Sequence, residues 1–348
     1  MSVIPVPLRD RGYDVVLERG LLGRAGEHLH ALGCRQAVVL TDETVAALYL
    51  RRVLASLSAA GISARAMILP PGERNKSPET LSRVYAFLAE AGLRRDGFML
   101  ALGGGVIGDL AGFAAATWLR GVRFVQLPTT LLAQVDASVG GKTAIDLPQG
   151  KNLIGAFHQP RRVLIDPDTM ATLPDAIWRD GMGEVVKTAA IGDATLFAKL
   201  EAKPGRAAIQ ADTAVVEACI RYKAQVVAQD EHDTGLRMTL NFGHTIGHAI
   251  ECCQRYQGLR HGEAVAAGMA EITRRSENRG ITESGTASRL IHLLRAVGLP
   301  TEAPDIPQEE LLQVIRRDKK AASDGLRVIV LKRIGQCMTL PVDESFFD

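Results

Sequence analysis

The chain has 348 residues, too many for one ordinary hydrophobic core, so two domains are expected. Hydrophobic residues make up 47% and charged residues 23%, the balance of a globular protein rather than a disordered one. With 41 Lys and Arg against 39 Asp and Glu, the formal net charge of +2 excludes a global field for nucleic acid or an anionic membrane, so any anion must be caught by a local cluster.

In chain order, MSVIPVPLRDRGYD has no apolar run followed by a small-residue cleavage site, and it does not read as a signal peptide. QAVVL (36–40) reads as a strand, followed by a helical pattern through TVAALYLRRVLASLSAAG. ARAMIL (64–69) precedes the turn PPGERNKS and a helix to about Gly92. GFMLAL (97–102) leads into glycines and a helix from about Val106, and VRFVQL (122–127) and RVLIDP (162–167) complete the series. The weakly polar stretch FMLALGGGVIGDLAGFAAATWL is broken by glycine and carries Asp109, which suits a buried strand and helix, not a membrane span. Strands alternating with helices imply a parallel sheet with crossover helices.

Past Asp166-Pro167 helical patterns dominate, over 180–202, 207–229, 240–256, 262–279, 285–297 and 308–320. LRVIVLKRIGQCMTL suggests one late pair of short strands. The expected fold is α/β: an N-terminal Rossmann-like parallel-sheet domain over 1–170 and a mainly α-helical C-terminal domain over 171–348, with the active site in the cleft between them. Cys34, Cys219, Cys252, Cys253 and Cys337 show no metal-type spacing and read as reduced thiols of a cytoplasmic protein.

Leu102-Gly103-Gly104-Gly105-Val106-Ile107-Gly108-Asp109 follows a predicted strand and opens a helix. Glycines there let backbone approach a pyrophosphate, and the helix N-terminus offers unpaired N–H groups. The stretch is not GxGxxG, and a plain strand–helix turn accounts for the glycines equally well. Asp42, just past the QAVVL strand, is placed where an acid holds a ribose hydroxyl. Glu73 and Lys76, in a Pro-Gly turn after the next strand, could do similar work, although turn residues of this kind are usually just solvated.

His244 and His248, in NFGHTIGH, stand four apart on one helical face, a familiar metal-ligand spacing. Taken alone, such a pair is more often two ordinary histidines. A third, His261, follows in HGEAVAAGM, and Glu184 lies upstream in GMGEVVKTAA. Three of the eight histidines within eighteen residues shift the balance towards a metal, and spacing nominates His244 with His248. Ser138-Val139-Gly140-Gly141-Lys142-Thr143 reads as a second anion-cradling loop, similar to the end of a P-loop but with Asp136 where that motif needs glycine. Lys151-Asn152, Lys187, Lys223 and Arg237 lie beside glycines or in apolar segments, where cations recognise phosphate or carboxylate; Lys319-Lys320 reads more simply as a solvated face. These residues point to a nucleotide site, a divalent metal and a polyanionic small substrate.

At GGGVIGDLAGFAAA, RGVRFVQLPTTLLAQVDASVGGKTAID, GKNLIGAFHQP, LRMTLNFGHTIGHAIE and HGEAVAAGM the sequence resembles the 3-dehydroquinate synthase family, and the resemblance covers nearly the whole chain. It implies an NAD cofactor and one divalent metal, zinc expected and cobalt the alternative, held by Glu184, His244 and His261, so that His248 is left for the substrate. Three protein ligands leave coordination positions open, as a catalytic site needs. The resemblance assigns Gly104, Gly105, Val106, Ile107, Gly108, Asp109, Thr129, Thr130, Lys142, Lys151, Thr169 and Thr172 to the cofactor, with Asp42, Glu73 and Lys76 at its ribose end. It assigns Asp136, Lys142, Lys187, Lys223, Arg237, Asn241 and His248 to catalysis, and Asn152 and Lys320 to substrate binding. Arg120 matches an arginine that the family contributes across a homodimer interface. Ala176-Ile177 stand where the family often has Arg-Glu, and Asp233 where it has Glu, next to an uncommon His232.

The implied reaction converts 3-deoxy-D-arabino-heptulosonate 7-phosphate to 3-dehydroquinate and phosphate in the shikimate pathway, which leads to chorismate and the aromatic amino acids. Transient oxidation by NAD, phosphate elimination, reduction, ring opening and an intramolecular aldol closure follow one another with no net oxidation. The alternatives are a related cyclase acting on sedoheptulose 7-phosphate or glucose 6-phosphate, and a metal-dependent polyol dehydrogenase. Lys223, Arg237, Asn241 and Lys320 favour the carboxylate-bearing substrate, and the Gly140-Gly141-Lys142 and Lys151-Asn152 clusters argue against the dehydrogenase. The expected partner is a sugar acid phosphate, not nucleic acid or membrane.

Overall fold

The computed structural model describes residues 1–321 and 325–347, and the side chains of 317–321, Lys320 among them, lie outside the described residues. The chain divides into two compact units, Met1–Leu173 with Lys223–Glu231, and Pro174–Tyr222 with His232–Asp348.

The first unit is built on a seven-stranded sheet. In chain order its strands are β1 (Ser2–Val6), β2 (Tyr13–Leu17), β3 (Gln36–Asp42), β4 (Ser63–Leu69), β5 (Phe98–Gly103) and β6 (Arg123–Pro128). A separate hairpin follows, β7 (Lys142–Leu147) with β8 (Gly150–Phe157), and β9 (Arg162–Ile165) returns to the sheet. The spatial order is β1-β2-β9-β6-β5-β3-β4, antiparallel at β1–β2 and parallel elsewhere. The strands read at 36–40, 64–69, 97–102, 122–127 and 162–167 are β3, β4, β5, β6 and β9. Every residue of β5 is buried, which accounts for its unbroken apolar run. Its alternate side chains serve opposite faces. Leu100 packs with Ala25, Leu29, Val53 and Leu57 on one face, and Met99 with Leu81, Val84, Leu88 and Leu110 on the other.

Two features differ from the sequence reading. Strands β1 and β2 were not expected; Pro5 lies opposite Asp14 on the sheet's edge, where a missing N–H removes no inner ladder bond. Ser138–Thr143 does not lead into a helix. Gly140 (φ 98°) and Gly141 (φ 66°) turn the backbone into β7, so no helix N-terminus stands behind Lys142, in keeping with the P-loop pattern already failing at Asp136.

The second unit is mainly helical: Asp175–Gly192, Ala194–Ala202, Arg206–Ala211, the first part of Thr213–Gln229, His244–Cys253, His261–Asn278, Thr286–Ala296 and Gln308–Ala321. One antiparallel hairpin, β10 (Arg327–Arg333) with β11 (Gln336–Pro341), matches the late strand pair. The helical pattern over 180–202 is two helices. They break at Asp193, whose carboxylate accepts the Leu196 N–H at 2.9 Å and caps the second. No helix among the described residues is long and apolar enough to cross a membrane.

Candidate active site

In the first unit, β5 ends at Gly103 and the helix Gly105–Thr117 begins after Gly104. A Cβ on Gly103 would stand 2.8 Å from Ile107, and one on Gly108 would stand 2.9 Å from Gln126, so both are packing glycines. The Gly108 N–H is taken by the Gly104 carbonyl at 3.0 Å, and Ile107 is buried in the core under the sheet. Gly105 is different: a Cβ there would meet only Ala137 at an ordinary 3.6 Å. Nothing in the protein demands glycine at 105, which is what close approach of a ligand would explain. Beside it the Thr129 hydroxyl is buried with no hydrogen-bond partner, while its N–H donates to the Gly103 carbonyl at 2.9 Å. Thr130 accepts the Ala133 N–H at 3.2 Å.

Glu73, Lys76, Asp109, Lys151 and Asn152 form one charged cluster, together with Asp146, which the sequence reading had not singled out. Lys76 is only 4% exposed and its ammonium meets Asp109 at 2.9 Å, Glu73 at 3.7 Å, Asp146 at 3.8 Å and the side-chain amide oxygen of Asn152. Lys151 reaches Glu73 at 3.9 Å, and the Asn152 N–H donates to Asp146 at 2.8 Å. Burial opposes the charge on Lys76, but Asp109 and its companions outweigh it and hold its pKa above the usual value. Burial pushes the Asp109 carboxyl up to about 6 in spite of Lys76. Asn152, expected at the substrate, thus stands in the same charged cluster as Glu73, Lys76, Asp109 and Lys151.

Other expected cofactor residues have internal partners. Asp42 caps the turn after β3 by accepting the Val45 N–H at 3.0 Å. The Thr169 hydroxyl donates to the Asp166 carbonyl at 2.9 Å and accepts from Gln134 at 2.8 Å, and Thr172 pairs with Tyr49. Both hydrogen-bonding roles of Thr169 are therefore filled within the fold. Lys223, also of this unit, donates at 2.7 Å both to the Asp136 carboxylate and to its carbonyl. Arg120 is exposed and has a left-handed backbone (φ 65°), and exposed Lys142 opens β7.

In the second unit, glycines bring three helices close. A Cβ on Gly183 would stand 2.5 Å from the Gly262 carbonyl, and one on Gly262 would collide with the Asp180 carbonyl. A Cβ on Gly243 would stand 2.6 Å from the Val265 carbonyl, and one on Gly247 3.0 Å from the Val265 Cα. These contacts bring Glu184, from the helix Asp175–Gly192, to His244 and His261, the first residues of their helices. Glu184 Oε1 lies 3.8 Å from His244 Nε2 and 3.7 Å from His261 Nε2. His248 is exposed, with its ring 5.2 Å from that of His244 and 5.9 Å from that of His261. Lys187 is buried against Glu184, Arg237 is buried and Asn241 is exposed.

Each trio of donor atoms lies within 4.8 Å for Glu184, His244 and His261, and also for His248, Glu251 and His261. Lys187 pairs with Oε2 of Glu184, while Oε1 accepts no hydrogen bond although the residue is only 1% exposed. A buried carboxylate in that state, facing two imidazole nitrogens, fits a cation. Burial and nearby Lys187 hold the His244 pKa well below the usual range, so the ring is neutral, as a ligand must be. Burial lowers that of His261, but Glu251 and Glu184 outweigh it and leave the pKa raised. Glu251, in contact with His261, and Asp180, which accepts the Gly262 N–H, were not singled out in the sequence, although Glu251 follows His248 by three on one helical face.

Residues 66–180 match the family model described as 3-dehydroquinate synthase N-terminal, and residues 181–321 match 3-dehydroquinate synthase C-terminal. A 3-dehydroquinate synthase of Pelobacter propionicus is 48% identical over 344 residues, covering 98% of this chain and 96% of that protein. The chain belongs to the 3-dehydroquinate synthase family. It is accordingly an enzyme of the lyase class. A second member, from Enterococcus faecalis, is 44% identical over 345 residues, 98% of this chain and 96% of its own. Among solved structures, 2-epi-5-epi-valiolone synthase of Streptomyces hygroscopicus, with NAD+ and Zn2+ bound, aligns with a TM-score of 0.88 at 27% identity, covering 98% and 96% of the two chains. A probable glycerol dehydrogenase of Sinorhizobium meliloti aligns with a TM-score of 0.61 at 21% identity over 86% and 88%, which shows a shared fold alone.

Proposed function

We propose that the chain converts 3-deoxy-D-arabino-heptulosonate 7-phosphate to 3-dehydroquinate and phosphate, using NAD and one divalent cation, zinc before cobalt. The observation that supports this most is the buried Oε1 of Glu184, without a hydrogen bond and facing His244 and His261, in a chain 48% identical to a 3-dehydroquinate synthase. When bound, the cofactor supplies transient oxidation of one substrate hydroxyl and the cation acidifies that hydroxyl.

The chain's own residues bind and orient. Glu184, His244 and His261 would hold the cation. The backbone at Gly104, Gly105 and Val106, with Thr129 and Thr130, would receive the pyrophosphate, and Lys76 and Lys151 with their acids would flank the nucleotide. Lys142, Lys187, Lys223, Arg237, Asn241, Asn152 and Lys320 would hold phosphate and carboxylate, fixing the substrate in its reactive conformer. Asp136 sets the position of Lys223 through their 2.7 Å contact. His248, with its exposed ring, would donate a hydrogen bond or exchange a proton with the substrate. Arg120 would act from a second copy in a cytoplasmic homodimer, a compartment supported by five free cysteines.

Phosphate release on three sugar phosphates tests the reading. With NAD and zinc, the heptulosonate phosphate should turn over at least about 100-fold faster, by kcat/KM, than sedoheptulose 7-phosphate or glucose 6-phosphate, roughly the worth of a lost carboxylate contact. Faster release from either of the latter would reassign the substrate.

A further inference from the structure

We propose that Glu251 is a positioning residue for the cation site: its carboxylate accepts the Nδ1–H of His261 and so presents Nε2 of that ring to the cation beside Glu184 and His244. This rests on the cation reading above and deepens it. Glu251 is buried on the helix His244–Cys253, and its Oε2 lies 3.2 Å from His261 Nδ1.

The two possible donor trios share His261 but call on different nitrogens. Nε2 faces Glu184 at 3.7 Å, and Nδ1 faces Glu251 at 3.2 Å. One imidazole gives a single cation only one nitrogen, so the two arrangements exclude each other. A cation taken by His248, Glu251 and Nδ1 of His261 would leave the buried Oε1 of Glu184 without a partner, since Lys187 pairs with Oε2. A cation taken by Glu184, His244 and Nε2 of His261 leaves the Nδ1 proton for Glu251, and each buried group then has a partner. Ligand atoms about 2.1 Å from a tetrahedral ion stand about 3.4 Å apart, close to the spacings around Glu184.

His244 follows the same plan by other means. Its Nδ1 lies 3.1 Å from the Phe242 carbonyl, which leaves Nε2 towards Glu184. One ligand ring is therefore oriented by a carbonyl and the other by a carboxylate, which also strengthens the ring as a base. The start of the His261 helix is fixed separately, by the Gly262 N–H donating to Asp180 at 2.7 Å.

The test measures Zn2+ affinity by chelator competition and the visible spectrum of the Co2+ form, on the full chain and its Glu251→Gln and Glu251→Ala variants. Glu251→Ala should weaken Zn2+ about 10- to 100-fold, and Glu251→Gln, which keeps an acceptor oxygen without the charge, by about tenfold, with displaced Co2+ bands in both. If Glu251→Ala does not fold, Glu251→Gln decides. Parent affinity and an unchanged Co2+ spectrum in Glu251→Gln would overturn the proposal. So would a His248→Ala variant that loses Zn2+ as strongly while Glu184→Gln retains it, since Glu251 would then be a ligand itself. A parent that binds neither ion overturns the cation reading and this proposal together. A parent that binds Zn2+ but releases no phosphate overturns only the reaction and leaves the affinity comparison decisive for Glu251.

Discussion

Asp109 carries two opposing influences, burial that favours its neutral form and Lys76 at 2.9 Å that favours its charge, and burial prevails. Its carboxyl titrates at about 6 in the folded chain against an ordinary 3.8, so the folded state holds the proton across that window. Stability from this group is greatest below pH 3.8 and is lost as pH rises through 6, by about 2 to 3 kcal/mol in all. Urea midpoints of the parent and Asp109→Asn, taken from pH 4 to 7, should therefore shift in favour of the variant as pH rises. A constant difference would contradict the burial argument. The histidines give a second prediction. His261→Ala should lose zinc and turnover together, whereas His248→Ala should keep zinc and lose about 10²- to 10⁴-fold in kcat, the scale of a lost acid–base group. Equal zinc loss in both would point instead to the trio His248, Glu251 and His261 as the ligands. The i,i+4 relation of His244 and His248 is legible in sequence, but the choice of ligand is not. It depends on which nitrogen of each ring has a hydrogen-bond partner, Phe242 or Glu251, and those contacts arise only from packing.

Helices and strands separate what periodicity can show from what it cannot. The buried parallel strands β3, β5, β6 and β9 are continuous apolar runs and stand out in the sequence. Edge strand β1, with Pro5, and the hairpin β7–β8, rich in glycine and lysine, do not, because their pairing rather than their composition makes them strands. The glycines at 183, 243, 247 and 262 look like flexible spacers in the sequence, yet each lets one backbone approach another, and that approach brings Glu184, His244 and His261 together. Gly262→Ala should therefore cost about 1 to 3 kcal/mol, the usual penalty of overpacking, and weaken Zn2+ by moving His261 away from Glu184. Denaturant midpoint and chelator competition together check this. Unchanged values in both would mean that the helices separate without consequence for the site.

For the molecule as a whole, the near-neutral charge leads one to expect local clusters for any anion; Lys76, Lys223 and Arg237 are buried cations, Lys76 beside Asp109 and Lys223 beside Asp136. The change from alternating strands to helices near 170 is also visible in sequence. The grouping of Lys223–Glu231 with the first unit is not, since that segment is the end of an ordinary helix and only tertiary contacts assign it. Residue chemistry reaches a nucleotide turn, a divalent cation with His244 and His248 nominated, and a polyanionic substrate; the family resemblance supplies the trio with Glu184 and His261, and family membership names the reaction. The central claim is that NAD is used catalytically, its oxidation reversed within each turnover, and the most direct measurement is the number of phosphates released per NAD. With heptulosonate phosphate in large excess over NAD, phosphate release should exceed NAD many times over while absorbance at 340 nm stays flat. One NADH accumulating for each product formed would contradict the account and make the chain a dehydrogenase.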